Sequence, residues 1–190
     1  MRPIMVEFTG TPEAGKTTVI SSLRNELETR GYKVFVVKES AEMVPSEFPK
    51  GSWDANVWMR YTTCANILHS LYAPCDIVLI DRGVIDLQFF GIKFLNKGAC
   101  SFDDYRSYMN IFSPQLNPDF LFVMVSDPEV SLRRRGGAGR VVNLTFLNEY
   151  NSLLHSFCKS INIPKTILDT SNMSTSDVTK QCLDTILSLL

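Results

Sequence analysis

No stretch of this 190-residue chain is apolar for long enough to cross a bilayer, and no signal-peptide pattern precedes Pro3. Cys-x-x-Cys is absent as well. The five cysteines (Cys64, Cys75, Cys100, Cys158, Cys182) are odd in number and scattered. That fits reduced, mostly buried thiols in a cytoplasmic protein better than a disulfide framework or a zinc site. Charge of one sign is missing too. A formal net charge of −1 leaves no electrostatic footprint for a dedicated nucleic-acid or membrane-surface binder. Repeats, low-complexity tracts and linkers do not occur, so a single domain over 1–190 is expected. The only two histidines, His69 and His155, have no partner pattern and read as structural.

What the chain does have is Gly10-Thr11-Pro12-Glu13-Ala14-Gly15-Lys16-Thr17-Thr18, the pattern G-x-x-x-x-G-K-[ST]. Ile4 to Thr9 ahead of it is apolar enough for a buried strand, and residues 16–30 behind it read as a helix. A helix N-terminus offers unpaired N–H groups and the positive end of a dipole. Gly10 and Gly15 let the backbone curl its amides around an anion. Lys16 can reach the β- and γ-phosphates, and the Thr17 hydroxyl can hold Mg²⁺. The nine residues from Gly10 to Thr18 are therefore the expected binding loop for a nucleoside triphosphate, ATP with Mg²⁺.

Strands and helices alternate along the rest of the chain. Strands are predicted at 33–37, 76–80, 120–125 and 166–168. Helices are predicted at 53–72, 84–95, 101–112, 128–135, 145–160 and 176–189, with a loop at 40–52 containing Pro45, Pro49 and Gly51. Ser101-x-x-Asp104 is a capping signal. Strands that are apolar throughout and separated by helices imply a parallel sheet covered on both faces, with the ligand at the carboxyl ends of the strands.

Two further motifs fall at those ends. Ile77-Val78-Leu79-Ile80-Asp81-Arg82-Gly83 is an apolar strand ending in a carboxylate, the form that supplies a second metal-side ligand, so Thr17 and Asp81 are the metal candidates. A water-activating Glu would follow the Asp in a hydrolytic motor; Arg82 stands there instead, able to bind phosphate or acceptor but not to act as a base. Arg133-Arg134-Arg135-Gly136-Gly137-Ala138-Gly139-Arg140 sets four arginines around a glycine hinge. Such a segment suits a mobile flap that brings guanidinium groups to the transferred phosphoryl, and Arg135 and Arg140 are its candidates.

Together these motifs resemble the thymidylate kinase and deoxynucleoside kinase branch of the P-loop kinases, and the resemblance runs nearly the length of the chain. Val6-Glu7-Phe8 with the loop is similar to that family's first strand and phosphate loop. Glu39, closing strand two, matches the Glu placed near the acceptor hydroxyl, and Asp81-Arg82 matches the Asp/Glu-Arg pair after strand three. Pro118-Asp119-Phe120 through Arg133 resembles strand four and the helix leading into the arginine-rich lid. Residues 169–177 fall where the family touches adenine. The resemblance implies a three-layer P-loop kinase fold with sheet order 2-3-1-4-5, a lid at 133–140, and Lys16, Glu39, Asp81, Arg82, Arg135 and Arg140 as catalytic residues. Pro12 stands where thymidylate kinases carry Asp, Ser40-Ala41 where they carry Pro-Gly, and Gly83 where deoxynucleoside kinases carry Ser. Phosphoryl transfer to a nucleoside or nucleoside monophosphate follows; thymidylate as acceptor does not.

The acceptor pocket is expected between the 53–72 helix, the 84–95 helix and the 40–52 loop, with Trp53, Trp58 and Arg60 as pocket or core. A small-molecule acceptor is the expected partner, nucleic acid and membrane are disfavoured, and a homodimer is left open. Two rivals stay in play: a kinase for a non-nucleotide or polymer hydroxyl, and an ATP-gated module without turnover. A GTPase of the Ras type is excluded, since Asn96-Lys97-Gly98-Ala99 lacks the Asp of the guanine motif.

Overall fold

Five runs rich in Val, Ile, Leu and Phe form the strands, and the segments with helical spacing pack on either side of them. The structure, a computed structural model, describes residues 2–49, 51–137 and 142–190. In chain order the elements are β1 (Ile4–Gly10), α1 (Lys16–Thr29), β2 (Val34–Val37), α2 (Trp53–Ser70), β3 (Ile77–Asp81), α3 (Val84–Asn96), α4 (Phe102–Met109), β4 (Phe120–Val125), α5 (Pro128–Arg135), α6 (Leu144–Ser160), β5 (Lys165–Asp169) and α7 (Thr175–Leu189). Short 3-10 turns at Ser40–Met43 and Pro114–Leu116 complete it. Every strand pairing is parallel, and the sheet order is β2-β3-β1-β4-β5, as the resemblance implies.

The period-2 alternation of each strand splits the core into two layers. Val6, Phe8, Leu79, Phe122 and Leu168 face α1 and α7, meeting Val19, Leu23, Leu27, Val178, Cys182 and Ile186. Met5, Val78, Ile80, Leu121 and Val123 face α2, α3 and α6, meeting Ile67, Ile85, Phe89, Tyr150, Leu154 and Phe157. Phe8 stacks on Phe122 with centroids 5.1 Å apart at the centre of the first layer. A large-to-small change at a fully buried aromatic of this kind costs about 3–5 kcal/mol.

Several boundaries differ from the sequence reading, each for a local reason. The helix expected through 112 stops at Met109, where the Phe112 amide turns back onto Met109 O and Ser113 precedes a proline that disfavours helical backbone. The long second helix ends at Ser70 and passes into a turn closed by Tyr72 N–H on His69 O. Strand β3 runs one residue further than expected, so Asp81 is its last residue, opposite Phe8 of β1. Gly10, Asp81, Val125 and Asp169 thereby end four adjacent strands on one edge of the sheet.

Candidate active site

At the end of β1 the chain needs a residue without a side chain. Gly10 has φ 134°, and a Cβ there would lie 1.9 Å from Met124 O of β4. Thr11 N–H then bonds the same carbonyl at 2.9 Å, turning the backbone out of the sheet. Gly15, at φ 89°, opens α1 with no side-chain cap, which leaves the first amides of a 14-residue helix free for an anion. Ala14 and Thr11 differ from the other loop residues. Ala14 is packed into the core with its amide on Thr11 O, and the Thr11 hydroxyl bonds Asn151 Oδ1 at 2.6 Å. A cleft of about 470 Å³ lies over Pro12, Glu13 and Gly15 to Thr18, closed on its far side by Glu39, Glu42 and Arg82.

Lys16 folds back on this loop, its Nζ donating to Thr11 O at 2.8 Å and Gly10 O at 3.3 Å. Burial, and after it the Arg82 charge, push its ammonium down to about 7. An anion entering the cleft would reverse both effects. Thr17 Oγ1 donates to Asp81 Oδ2 at 2.6 Å. The other Asp81 oxygen is buried and has no hydrogen-bond partner among the described residues, and burial first of all raises the Asp81 pKa. An orphaned carboxylate oxygen beside a hydroxyl at the mouth of a phosphate loop fits Mg²⁺, which prefers a few oxygen ligands plus phosphate.

Arg82 is held from four sides. Its backbone sits at φ 59°, uncommon for a residue with a side chain and fixed by Arg82 N–H on Phe8 O at 3.0 Å. Its guanidinium meets Glu39 Oε1 at 3.1 Å and Asp86 Oδ1 at 2.8 Å, and donates to Tyr150 Oη and Gly10 O, both at 3.2 Å. Burial opposes its charge, but Asp86, Tyr150 and Glu39 outweigh that and keep it cationic. Asp86 also accepts from Thr9 Oγ1, and Tyr150 Oη donates to Gly10 O at 3.1 Å. For Glu39, burial comes first and raises its pKa above the usual carboxylate value against the pull of Arg82.

Asp81, which accepts from Thr17, does not cap α3. Gly83, at the N-cap position, makes no side-chain cap. Glu7 of β1 does the work instead, accepting from Ile85 N–H at 3.1 Å and Asp86 N–H at 2.9 Å. Glu7 is fully buried, which pushes its carboxyl up to about 8. A Cβ on Gly83 would come within 2.5 Å of Glu7 Oε2, so glycine, and not the serine of deoxynucleoside kinases, is what fits beside this carboxyl.

A cavity is present where the acceptor pocket is expected. A cavity of about 120 Å³ lies between the 40–52 loop, α2 and α3, reached by Asn56, Met59, Thr63, Leu87, Phe90 and Phe94, with Glu39 and Arg82 at one end. Trp53 stands behind it, packed against Phe94 and Tyr108 at 5.7 and 5.0 Å, and Trp58 does not line it. Arg60 is buried over the rings of Tyr61 and Tyr108 and does not line it either. Asn56 is fully buried, and neither of its amide atoms has a partner in hydrogen-bond geometry among the described residues.

In the arginine-rich segment, α5 runs through Arg135 and is closed by Gly136 at φ 86°. Arg135 reaches Glu13 Oε1 at 3.4 Å, on the phosphate loop. Arg134 donates to Thr170 O at 2.6 Å and to Glu13 O at 3.3 Å. With Thr170, Met173 and Thr175 it walls a cavity of about 260 Å³ beside the loop, within the 169–177 stretch. Arg140 lies outside the described residues.

The structure brings together Lys16, Thr17, Glu39 and Arg82 around one cleft, with Asp81 bonded to Thr17, all five of them candidates from the sequence. Glu7, Asp86, Asn56, Tyr150 and Asn151 are not among those candidates. A carboxylate in the middle of an apolar strand is a signal that could have found Glu7. The other four occupy ordinary helix positions and leave no such mark.

No family model and no curated protein matches the chain. Three solved structures of deoxyadenosine kinase from M. mycoides do. The one with the products dCMP and a flexible dCDP bound is 16% identical, covering 98% of this chain and 100% of that one at a TM-score of 0.74. With dCTP bound the values are 18% identity, 97% and 100% coverage and 0.74. With dATP bound they are 16%, 98%, 99% and 0.70. The likeness is end to end, and it shows that the chain has the P-loop kinase fold those structures share.

Proposed function

We propose that this protein is an ATP-dependent kinase that transfers the γ-phosphoryl group to a hydroxyl of a nucleoside-like acceptor. The observation that carries the reading is the Glu39–Arg82 pair. These two residues border both the acceptor cavity and the phosphate cleft, so they stand where an acceptor hydroxyl and a triphosphate would meet. Glu39, its pKa raised by burial, accepts the hydroxyl proton. Arg82, pinned by Asp86 and Tyr150, orients the acceptor end without reorganising. Lys16 and the free amides of α1 hold the phosphates. Bound Mg²⁺ would neutralise charge on the β- and γ-phosphates, held by Thr17 and Asp81.

Among nucleoside-like acceptors the cavity favours a neutral one. Arg82 is the only cation among its described lining residues, and it is already engaged by two carboxylates. A monophosphate would ask for more positive charge. The deoxyadenosine kinase likeness supports the same class. Residues 133–140 are proposed as a lid within the one domain 1–190, closing Arg134 and Arg135 over the nucleotide, with adenine in the cavity beside Thr170.

No described helix is long and apolar enough to cross a membrane. All five cysteines are free thiols, which supports a reducing, cytoplasmic setting. Exposed Tyr61, Leu68 and Tyr72, on one side of α2 and just past its end, support a homodimer through that face. Light scattering of wild type and Tyr61→Arg tests it. The function is tested by labelled-ATP transfer over nucleosides, nucleoside monophosphates and other hydroxylated metabolites. Product on a nucleoside is expected; phosphate release with no transfer product on any acceptor would overturn the reading.

A further inference from the structure

The phosphoryl-transfer machinery leaves two buried cations unused, Arg60 and Lys93, and of the two only Lys93 borders an open cleft. Lys93, on α3, is 9% exposed. Its ammonium sits among three rings, 3.8 Å from the centroid of Phe146, 4.9 Å from Tyr150 and 5.4 Å from Phe90. The rings offset part of the desolvation. They do not supply the acceptors that an ammonium with three donors requires, and no residue among those described hydrogen-bonds or ion-pairs with it, so those acceptors come from what fills the cleft that its tip reaches. Burial, then neighbouring Lys97, push the Lys93 pKa down to about 8, so it is still mostly charged near neutrality.

This ammonium borders a cleft of about 460 Å³ between α3 and the start of α6, across Phe90 and Phe94 from the acceptor cavity. Lys97, Asn143, Thr145 and Glu149 also line it. Helix α6 is 17 residues long, and Asn143 caps the Phe146 amide at 2.9 Å. The amides of Leu144 and Thr145 have no partner among the described residues. Two lysines and a helix N-terminus thus converge against one carboxylate, Glu149, while Phe94 and Phe146 supply apolar wall.

We propose that this cleft is a second, non-catalytic binding site for a small molecule that joins a phosphate or carboxylate group to an aromatic or apolar body. The anion lies on Lys93, Lys97 and the first amides of α6, and the body lies against Phe94 and Phe146. An occupant would bridge α3, which carries Asp86, and α6, whose Tyr150 and Asn151 hold Gly10 and Thr11 of the phosphate loop. The site shares the Phe90–Phe94 wall with the acceptor cavity, but its anion-binding groups, Lys93, Lys97 and the first amides of α6, belong to neither the acceptor cavity nor the phosphate cleft, and its test does not involve phosphoryl transfer.

Phenyl phosphate titrated into the full chain and followed by calorimetry tests it, with benzoate and inorganic phosphate as parallel arms. Saturable binding of one phenyl phosphate is expected. Lys93→Met, which keeps the apolar stem, should raise Kd tenfold or more, Lys97→Met several-fold, and Lys16→Ala should leave it unchanged. Tighter benzoate than phenyl phosphate would assign the anion as a carboxylate, and weaker inorganic phosphate would confirm the apolar wall. Absence of saturable binding to wild type overturns the site, as does wild-type affinity in Lys93→Met or loss in Lys16→Ala alone. If Lys93→Met does not fold, Lys97→Met at the exposed mouth decides, and wild-type affinity there also overturns it.

Discussion

The two halves of the strand-end cleft are built from different materials. The phosphate half is mostly backbone: Gly10 pressed on Met124 O, an uncapped helix start at Gly15, and one lysine folded over the turn. The acceptor half is side chains from four elements and two loops: Glu39, Asn56, Arg82, Asp86, Phe90 and, behind them, Glu7 and Tyr150. A site made of backbone needs particular residues at consecutive positions, and so writes a motif. A site gathered from distant elements needs particular residues only at isolated positions, where helix and strand rules leave the choice open.

The sharpest way to break this comparison is at its strongest point. Lys16→Ala should lower turnover by on the order of 10³-fold or more while the fold survives, because the lysine bonds only to its own loop. Transfer kinetics beside a circular-dichroism melt check this. A folded Lys16→Ala with wild-type transfer would sink the kinase reading.

That contrast explains what was legible in the sequence. The parallel sheet and its two covering layers follow from apolar runs separated by helices, the strand order follows from the family resemblance, and helix ends depart from expectation only where a turn such as Ser113-Pro114 decides them. Lys16, Thr17, Asp81 and Arg82 follow from spacing alone or from a strand terminus. Asp86 looks like any first-turn carboxylate of a helix, and Tyr150 like any core aromatic. Only the parallel packing of β1 beside β3 and the placement of α6 bring them to Arg82. Glu7 is visible as a carboxylate inside an apolar strand, but its partner is visible only when α3 is set above it.

On the acceptor side the next largest effect belongs to Glu39. Glu39→Gln keeps the shape and some hydrogen bonding to Arg82 but cannot take a proton, so kcat should fall by on the order of 10²-fold with ATP affinity little changed. An effect confined to acceptor KM would instead point to a phosphate acceptor, and wild-type values of both parameters would remove Glu39 from the chemistry.

Glu7 offers a test through stability. The unfolded chain releases this proton near 4.5 and the folded chain near 8. Between those values folding takes up a proton, so the stability Glu7 contributes is whole below about 4.5 and is lost as pH rises to about 8. The loss is on the order of a few kcal/mol, since a tenfold change in proton affinity corresponds to about 1.4 kcal/mol. Urea unfolding of wild type and Glu7→Gln from mildly acidic to mildly alkaline pH reads it. Wild type should lose stability relative to the variant over that window, although Gln, with one acceptor for two amides, is the weaker cap at low pH. Parallel curves would mean that Glu7 stays ionised in the fold.

The smallest expected effect separates the halves most cleanly, because it should have opposite signs in stability and in catalysis. Asn56 is fully buried, and its amide is unpartnered among the described residues. Such a group costs the free protein about 1–3 kcal/mol, a cost that makes sense where an acceptor supplies the missing hydrogen bonds. Leu has the same branched skeleton with no polar atom. Asn56→Leu should therefore raise the melting temperature of the free protein while raising acceptor KM about tenfold, the worth of roughly one hydrogen bond to a buried partner. ATP KM should stay unchanged, since Asn56 lines only the acceptor cavity. A variant that is both less stable and unaltered in acceptor KM would show that the amide is structural. The selectivity of the acceptor half would then rest on Phe90, Phe94 and the shape of the cavity.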